Sequence, residues 1–266
     1  MSNYRSGSVG GMSFFKNMMA SMGIGAAKVE TVLEVPYSGV RPGDEISGRI
    51  LVEGGAVPQQ INGIELVLMT SYIKEVNDSK VRENVALARL PLRESFQIGA
   101  GSREEFDFRW VLPQHTPITA GGTQVWIKTS LDIASALDAA DNDYIKVLPH
   151  PLVASVLEAV ERLGFRTREV ECKHVGHSRY GVPVLQEFEF VPRTREFGRL
   201  DELEMVFLPS PGYVDVMMEV DRRGGAFSEW LGTDETRASF RLHEADVRRG
   251  PDALARELGA RIRSYM

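Results

Sequence analysis

PHPLVASVLEAVERLGF, Pro149 to Phe165, is the one stretch in the interior of the chain where the hydrophobic period changes from two to that of a helix. Pro149 and Pro151 end whatever precedes them, because proline brings no N–H to a β-ladder and suits the first turn of a helix. Val153, Val156, Leu157, Val160 and Leu163 then fall on one helical side, and Gly164 supplies a stop. The stretch predicts a helix over residues 151–165 with β-type sequence on both sides of it, so it reads as a connector between two β blocks.

On the N-terminal side, from Lys28 onward, apolar residues alternate with polar ones. Strands are predicted at Lys28 to Val35, Glu45 to Glu53, Ile61 to Tyr72, Arg82 to Leu92, Glu105 to Leu112, Gln124 to Ile133 and Asp143 to Leu148. EFDFRWVL is the clearest, with Phe106, Phe108, Trp110 and Leu112 on one side. Many short strands separated by Gly, Pro, Asn and Ser clusters, with no helices between them, indicate a sandwich and not an alternating α/β fold.

Beyond the connector the alternation resumes at Arg166 to Val175, Val182 to Val191, Glu202 to Leu208, Tyr213 to Val220 and Thr236 to Leu242. In ELEMVFLPSPGYVDVMMEV, Leu203, Met205 and Phe207 alternate with Glu202 and Glu204, which read as the wet side of a half-buried hairpin turned by PSPG. These strands are fewer than the roughly seven of a full sandwich. Pro251 opens a final amphipathic helix with Leu254, Leu258, Ile262 and Tyr265 in one stripe and Arg256 and Arg263 on the polar side.

The first eleven residues, MSNYRSGSVGG, have no apolar period and read as a disordered tail. After Ser13, a candidate N-cap, Phe14, Phe15, Met18, Met19 and Met22 recur at helical spacing. Methionines adapt to varied partners, so this stripe is a candidate partner-binding surface; packing on the chain's own first sandwich competes with that reading. The organisation expected is a tail over 1–11, a first β-sandwich with its leading helix over 12–150, the connecting helix over 151–165, and a second β-sandwich with a terminal helix over 166–266.

At 43% hydrophobic and 26% charged residues, the chain has ordinary globular composition. Its single cysteine, Cys172, excludes an internal disulfide. No charged-then-apolar leader opens the sequence, which leads us to expect a cytoplasmic protein. No apolar run reaches the roughly 18 residues of a spanning helix. The net charge is −6, and both β blocks are mildly acidic, so a nucleic-acid partner is not expected.

Three local motifs suggest chemistry, and each has a plainer reading. DAADNDYIKV brings Asp138, Asp141 and Asp143 together, but without the alternate-position acids and sixth-position glycine of a helix-loop-helix calcium loop. A looser cation site there competes with a solvated connection between strands. GIGAAK has two glycines of a dinucleotide fingerprint but precedes a strand instead of following one. CKHVGH offers Cys172, His174 and His177 as zinc-competent ligand types; on a strand, however, His177 points away from the other two, and no fourth ligand is evident. GxSxG, HExxH and GxxxxGK[ST] do not occur.

Taken together, GIGAAKVET, LDIASALDAADND, LPHPLVASVLEAVERLGF, GRLDELEMVFLPSPG and EVDRRGGAFSEWLG closely resemble the bacterial sporulation-control proteins related to sporulation stage-zero protein M, an arrestin-like family. The resemblance runs from about Met12 to about Asp246. It implies two tandem arrestin-like β-sandwiches, a cytoplasmic regulatory role, no catalytic residues and no cofactor. It places LDIASALDAADND in the last strand and loop of the first sandwich and assigns no metal ligand there. The function expected is a non-enzymatic scaffold or adaptor that acts through protein partners. Two rivals stay open: a metal-dependent enzyme using Cys172, His174 and His177, and a peripheral membrane protein inserting Phe14, Phe15 and Met18.

Overall fold

A computed structural model describes residues 25–76, 79–176, 181–198, 200–221 and 238–266. The stripe from Phe14 to Met22 and the tail before it lie outside these residues. The strands are β1 (Lys28–Glu34), β2 (Glu45–Glu53), β3 (Gln59–Val76), β4 (Ser79–Arg93), β5 (Phe96–Ile98), β6 (Arg103–Val111), β7 (Val125–Ile133) and β8 (Ala139–Ile145). Helix α1 (Pro151–Arg162) separates them from β9 (Phe165–His174), β10 (Val184–Pro192), β11 (Glu202–Ser210), β12 (Tyr213–Asp221) and β13 (Ala238–His243). A short helix α2 (Glu244–Val247) and the terminal helix α3 (Pro251–Tyr265) complete the order. The all-β reading holds, with helices between and after the β blocks.

The N-terminal half is a sandwich. A three-stranded sheet, β1-β2-β6, covers strands β3, β7 and β8 of a larger sheet. Alternation explains the match: β2 turns Ile46, Ile50 and Val52 inward, β3 contributes Ile64, Leu66 and Leu68, and β7 contributes Val125, Ile127 and Leu131. Each such aliphatic side chain contributes roughly 1.5–3 kcal/mol when fully buried.

The larger sheet has ten strands and does not stop at the end of the first half. β3 pairs with β4 on one edge, and on its other edge pairs first with β7 and then, at Ile73 opposite Lys173, with β9 in parallel. From β9 the sheet continues as an antiparallel meander, β9-β10-β11-β12-β13. Its inner face, carrying Phe188, Phe190, Leu203, Met205, Val214, Val216 and Met218, packs against Val153, Val156 and Val160 of α1 and Leu254, Leu258 and Ile262 of α3.

Local rules account for α1. Pro151 occupies its first turn, His150 Nδ1 accepts the Leu152 N–H at 3.2 Å, and Gly164 leaves the helix with φ 85°. Three sequence readings are revised. Leu157, expected to be buried with Val156, is only half-buried. β8 runs over Ala139–Ile145 instead of Asp143 to Leu148, because Ala139, Asp141 and Asp143 pair with Leu131, Thr129 and Ile127. Glu202 and Glu204, read as solvated, are buried among the neighbouring carboxylates of β10 and β12.

Candidate functional site

The two halves are fastened by polar contacts around β9 and β10. Gln186 on β10 reaches the loop before β7: Ile118 N–H donates to its Oε1 at 2.9 Å, and its Nε2 donates to Ile118 O at 2.8 Å. Lys80 on β4 reaches Glu169 and Glu171 on β9 at 3.2 and 3.1 Å, while Arg82 on the same strand ties the loop before β7 to the first half by donating to Gly122 O at 3.1 Å. Gly121, at φ 59°, lies so close to β9 that a Cβ there would stand 2.5 Å from Val170 O.

Beside this seam, α1 stands off from β9 and β10 and leaves a groove of about 900 Å³. Its lining mixes apolar residues, Ile118, Ala120, Leu157 and Val170 among them, with charged ones such as Glu158 and Arg166. Residues of both halves line it, so a bound chain would touch both.

The opposite face of the C-terminal sheet carries a second arrangement. Register places Glu169, Glu189, Glu204 and Glu219 side by side across β9, β10, β11 and β12. Like charges directly opposite one another on neighbouring strands are destabilising. Arg168 answers part of this charge: its Nε and Nη2 donate to Glu189 Oε2 at 2.9 and 2.5 Å, and its Nη1 pairs with Glu202 at 2.5 Å. Lys173 pairs with Glu171 at 3.1 Å.

Glu187 and Glu204 are left in the interior, 2% and 3% exposed. Burial pushes Glu187 up to about 7, with Lys173 opposing the rise, and pushes Glu204 up to about 9, aided by its carboxylate neighbours. Only the alternation of acids at 187, 189, 202 and 204 marks this cluster in the sequence, and that pattern reads equally well as a wet face.

Of the residues singled out from the sequence, Cys172 and His174 lie in different surroundings, while Asp141 and Asp143 act on each other. Cys172 is buried beside Tyr72 and Val184, and burial pushes its thiol up to about 12, the reverse of what a reactive thiolate or zinc ligand needs. The exposed His174 ring lies 4.8 Å from the Tyr72 ring, and His177 lies outside the described residues. The aspartates in and just before β8 hold the fold: Asp138 accepts the Ile133 N–H at 3.2 Å and Asp141 accepts the Thr31 N–H at 2.8 Å. Asp143 Oδ2 is buried without a hydrogen-bond partner.

This architecture, a β-sandwich continued through one sheet into a helix-backed second half, is that of a known class. A family model described as SpoOM protein matches residues 15–224, and the chain belongs to this Spo0M family. Among its relatives, the sporulation-control protein spo0M of Bacillus subtilis (strain 168) is 41% identical over 221 residues, spanning 83% of this chain and 85% of that protein. The crystal structure of Spo0M from Bacillus subtilis superposes with a TM-score of 0.83 at 36% identity, covering 91% of this chain and all of that one. No described helix is long and apolar enough to cross a membrane.

Proposed function

We propose that the chain is a non-enzymatic cytoplasmic adaptor in sporulation control or a related developmental or stress pathway, and that a protein partner docks in the groove between α1 and β9. The division into domains at residues 150 and 166 belongs to the same proposal, since a groove lined from both halves responds to any change in their relative setting. The observation that carries the reading is the groove: apolar and charged residues together, contributed by both halves, suit an amphipathic peptide or helix more than a small substrate. Membership of the family of a sporulation-control protein supports the regulatory role. The buried, un-ionised Cys172 speaks against thiolate chemistry.

The test is photo-crosslinking in the native host, with the crosslinker placed at Leu157 or Arg166, followed by sporulation counts for Leu157→Asp. A specific partner trapped from both positions, together with altered sporulation in a variant that still folds, supports the groove. Crosslinks absent there but obtained from Phe15 and Met19, and lost in a Phe15→Ser, Met19→Ser double variant, move the docking surface to Phe14, Phe15, Met18, Met19 and Met22. Vesicle sedimentation that depends on the same residues supports the membrane reading instead.

A further inference from the structure

We propose that Glu187, Glu189 and Glu204 form a binding site for a hard divalent cation of the magnesium, manganese or calcium class, on the face of the C-terminal sheet opposite α1 and α3. The inference is independent of the groove.

Geometry comes first. One carboxylate oxygen from each of the three residues lies within 4.8 Å of the others, a spacing that a single ion spans. Glu189 and Glu204 face each other across neighbouring antiparallel strands, and Glu187 sits two residues from Glu189 on the same side. Ligands on adjacent hydrogen-bonded strands are held in register by the ladder, unlike a loop of surface acids.

A second, independent observation is the unmet demand of the buried oxygens. Glu187 Oε2 and Glu204 Oε2 are fully buried, and neither has a hydrogen-bond donor. Burial first, and then the carboxylates of Glu187, Glu219, Glu202 and Glu189, disfavour the charged form of Glu204. Among the described residues the nearby cations pair with other carboxylates and not with Glu204: Arg168 with Glu189 and Glu202, and Lys173 with Glu171, from where it also acts on Glu187. A buried carboxylate left without positive charge or donors is costly, so the centre of the ladder calls for a cation or for protons.

The donor chemistry selects the class. All three ligands are carboxylate oxygens with no nitrogen or sulfur among them, which favours hard ions over zinc or copper, and water completes the coordination of magnesium or manganese. The ion would neutralise carboxylates on two strands at once and draw β10 and β11 together where their side chains now repel.

The experiment uses the full chain, stripped with EDTA and titrated with Mn²⁺ alone under electron paramagnetic resonance, with Mg²⁺ and Ca²⁺ as competitors and thermal melts in parallel. The expected result is saturable Mn²⁺ binding displaced by Mg²⁺ or Ca²⁺, and a higher melting midpoint with the ion present. Glu204→Gln and, separately, Glu187→Gln should weaken binding at least about tenfold, as loss of a ligand or its support does. Asp143→Asn, which alters a partly buried acid on another strand, should bind like the parent. The proposal is overturned if the parent binds no Mn²⁺, or if binding survives both glutamine substitutions. It is also overturned if Glu204→Gln melts higher than the parent at every cation concentration while the parent's midpoint ignores the ion, since protons alone would then satisfy the cluster.

Discussion

Gln186 and Ile118 are joined by both of their amide groups: Ile118 N–H donates to the Gln186 side-chain oxygen at 2.9 Å, and the Gln186 side-chain nitrogen donates to the Ile118 carbonyl at 2.8 Å. A side chain thus takes the part of a β-strand, pairing a loop of the first half with β10 of the second. Gln186→Leu keeps the bulk and removes both bonds, leaving the partly buried Ile118 N–H unpaired while Ile118 O keeps the bond it accepts from the Ala120 N–H. The expected loss is about 2 kcal/mol, read as a lower denaturant midpoint, because an unsatisfied buried donor or acceptor costs about 1–3 kcal/mol. A midpoint equal to the parent's would show that water replaces the clamp without loss.

Gly121 and Gly122 are adjacent, and both have positive φ, 59° and 89°. They should nonetheless differ under substitution. An alanine Cβ at 121 would stand 2.5 Å from Val170 O, whereas at 122 the nearest atom is the end of Arg82, 3.9 Å away. Gly122→Ala should cost only the left-handed backbone preference, about 1 kcal/mol. Gly121→Ala should cost about 3 kcal/mol or more, because the seam to β9 must also shift. Equal melting temperatures for the two variants would contradict this packing.

Val156 and Leu157 are neighbours on α1 with different roles. Val156 is 0% exposed between the helix and the C-terminal sheet, while Leu157 lines the groove. Val156→Asp should lower stability by about 3 kcal/mol or more, since it buries an unpaired charge. Leu157→Asp should lose about 1 kcal/mol or less and keep its circular dichroism spectrum, with its effect falling on partner capture instead.

Asp143 gives the pH dependence. Burial, with Asp141 and Glu30 adding repulsion, raises its carboxyl to about 6 from the ordinary value of 3.8. The folded chain therefore holds this proton more tightly than the unfolded chain does. Its stabilising contribution is complete below the ordinary carboxylate value and is lost as pH rises through about 6. Asp143→Asn should be the more stable form above pH 6, with the advantage shrinking towards pH 4. A difference between variant and parent that does not change with pH would exclude the assignment.

The strands were legible in the sequence wherever one face is buried and the other is wet. The alternation of Ile46, Ile50 and Val52 is the clearest case, and the pair of prolines at 149 and 151 located α1. Legibility failed where a polar row is buried. Glu202 and Glu204 obey the same alternation as a solvated row, and nothing local reveals that they lie in the interior. The aspartates after Leu137 read as a loop because their backbone role, accepting N–H groups from Thr31 and Ile133, depends on partners that lie up to 110 residues away. The single bridge between Ile73 and Lys173, which turns two sheets into one, leaves no local trace, since register between distant strands is set by packing.

The meander of β9 to β13 also sets an order of assembly. Each of its strands pairs with its neighbour in the chain, whereas the first half must bring Glu45 to Val111 and Ile61 to Ile133 before its sandwich can close. Short loop closures are fast and long ones slow, so the half synthesised second is the half whose topology folds sooner. β3 belongs to the slow half yet offers the edge on which β9 must land, at Ile73. The last event in folding is then the zipping of a finished sheet onto a late one, and until it happens the edges of β3 and β9 are open to strands of other molecules.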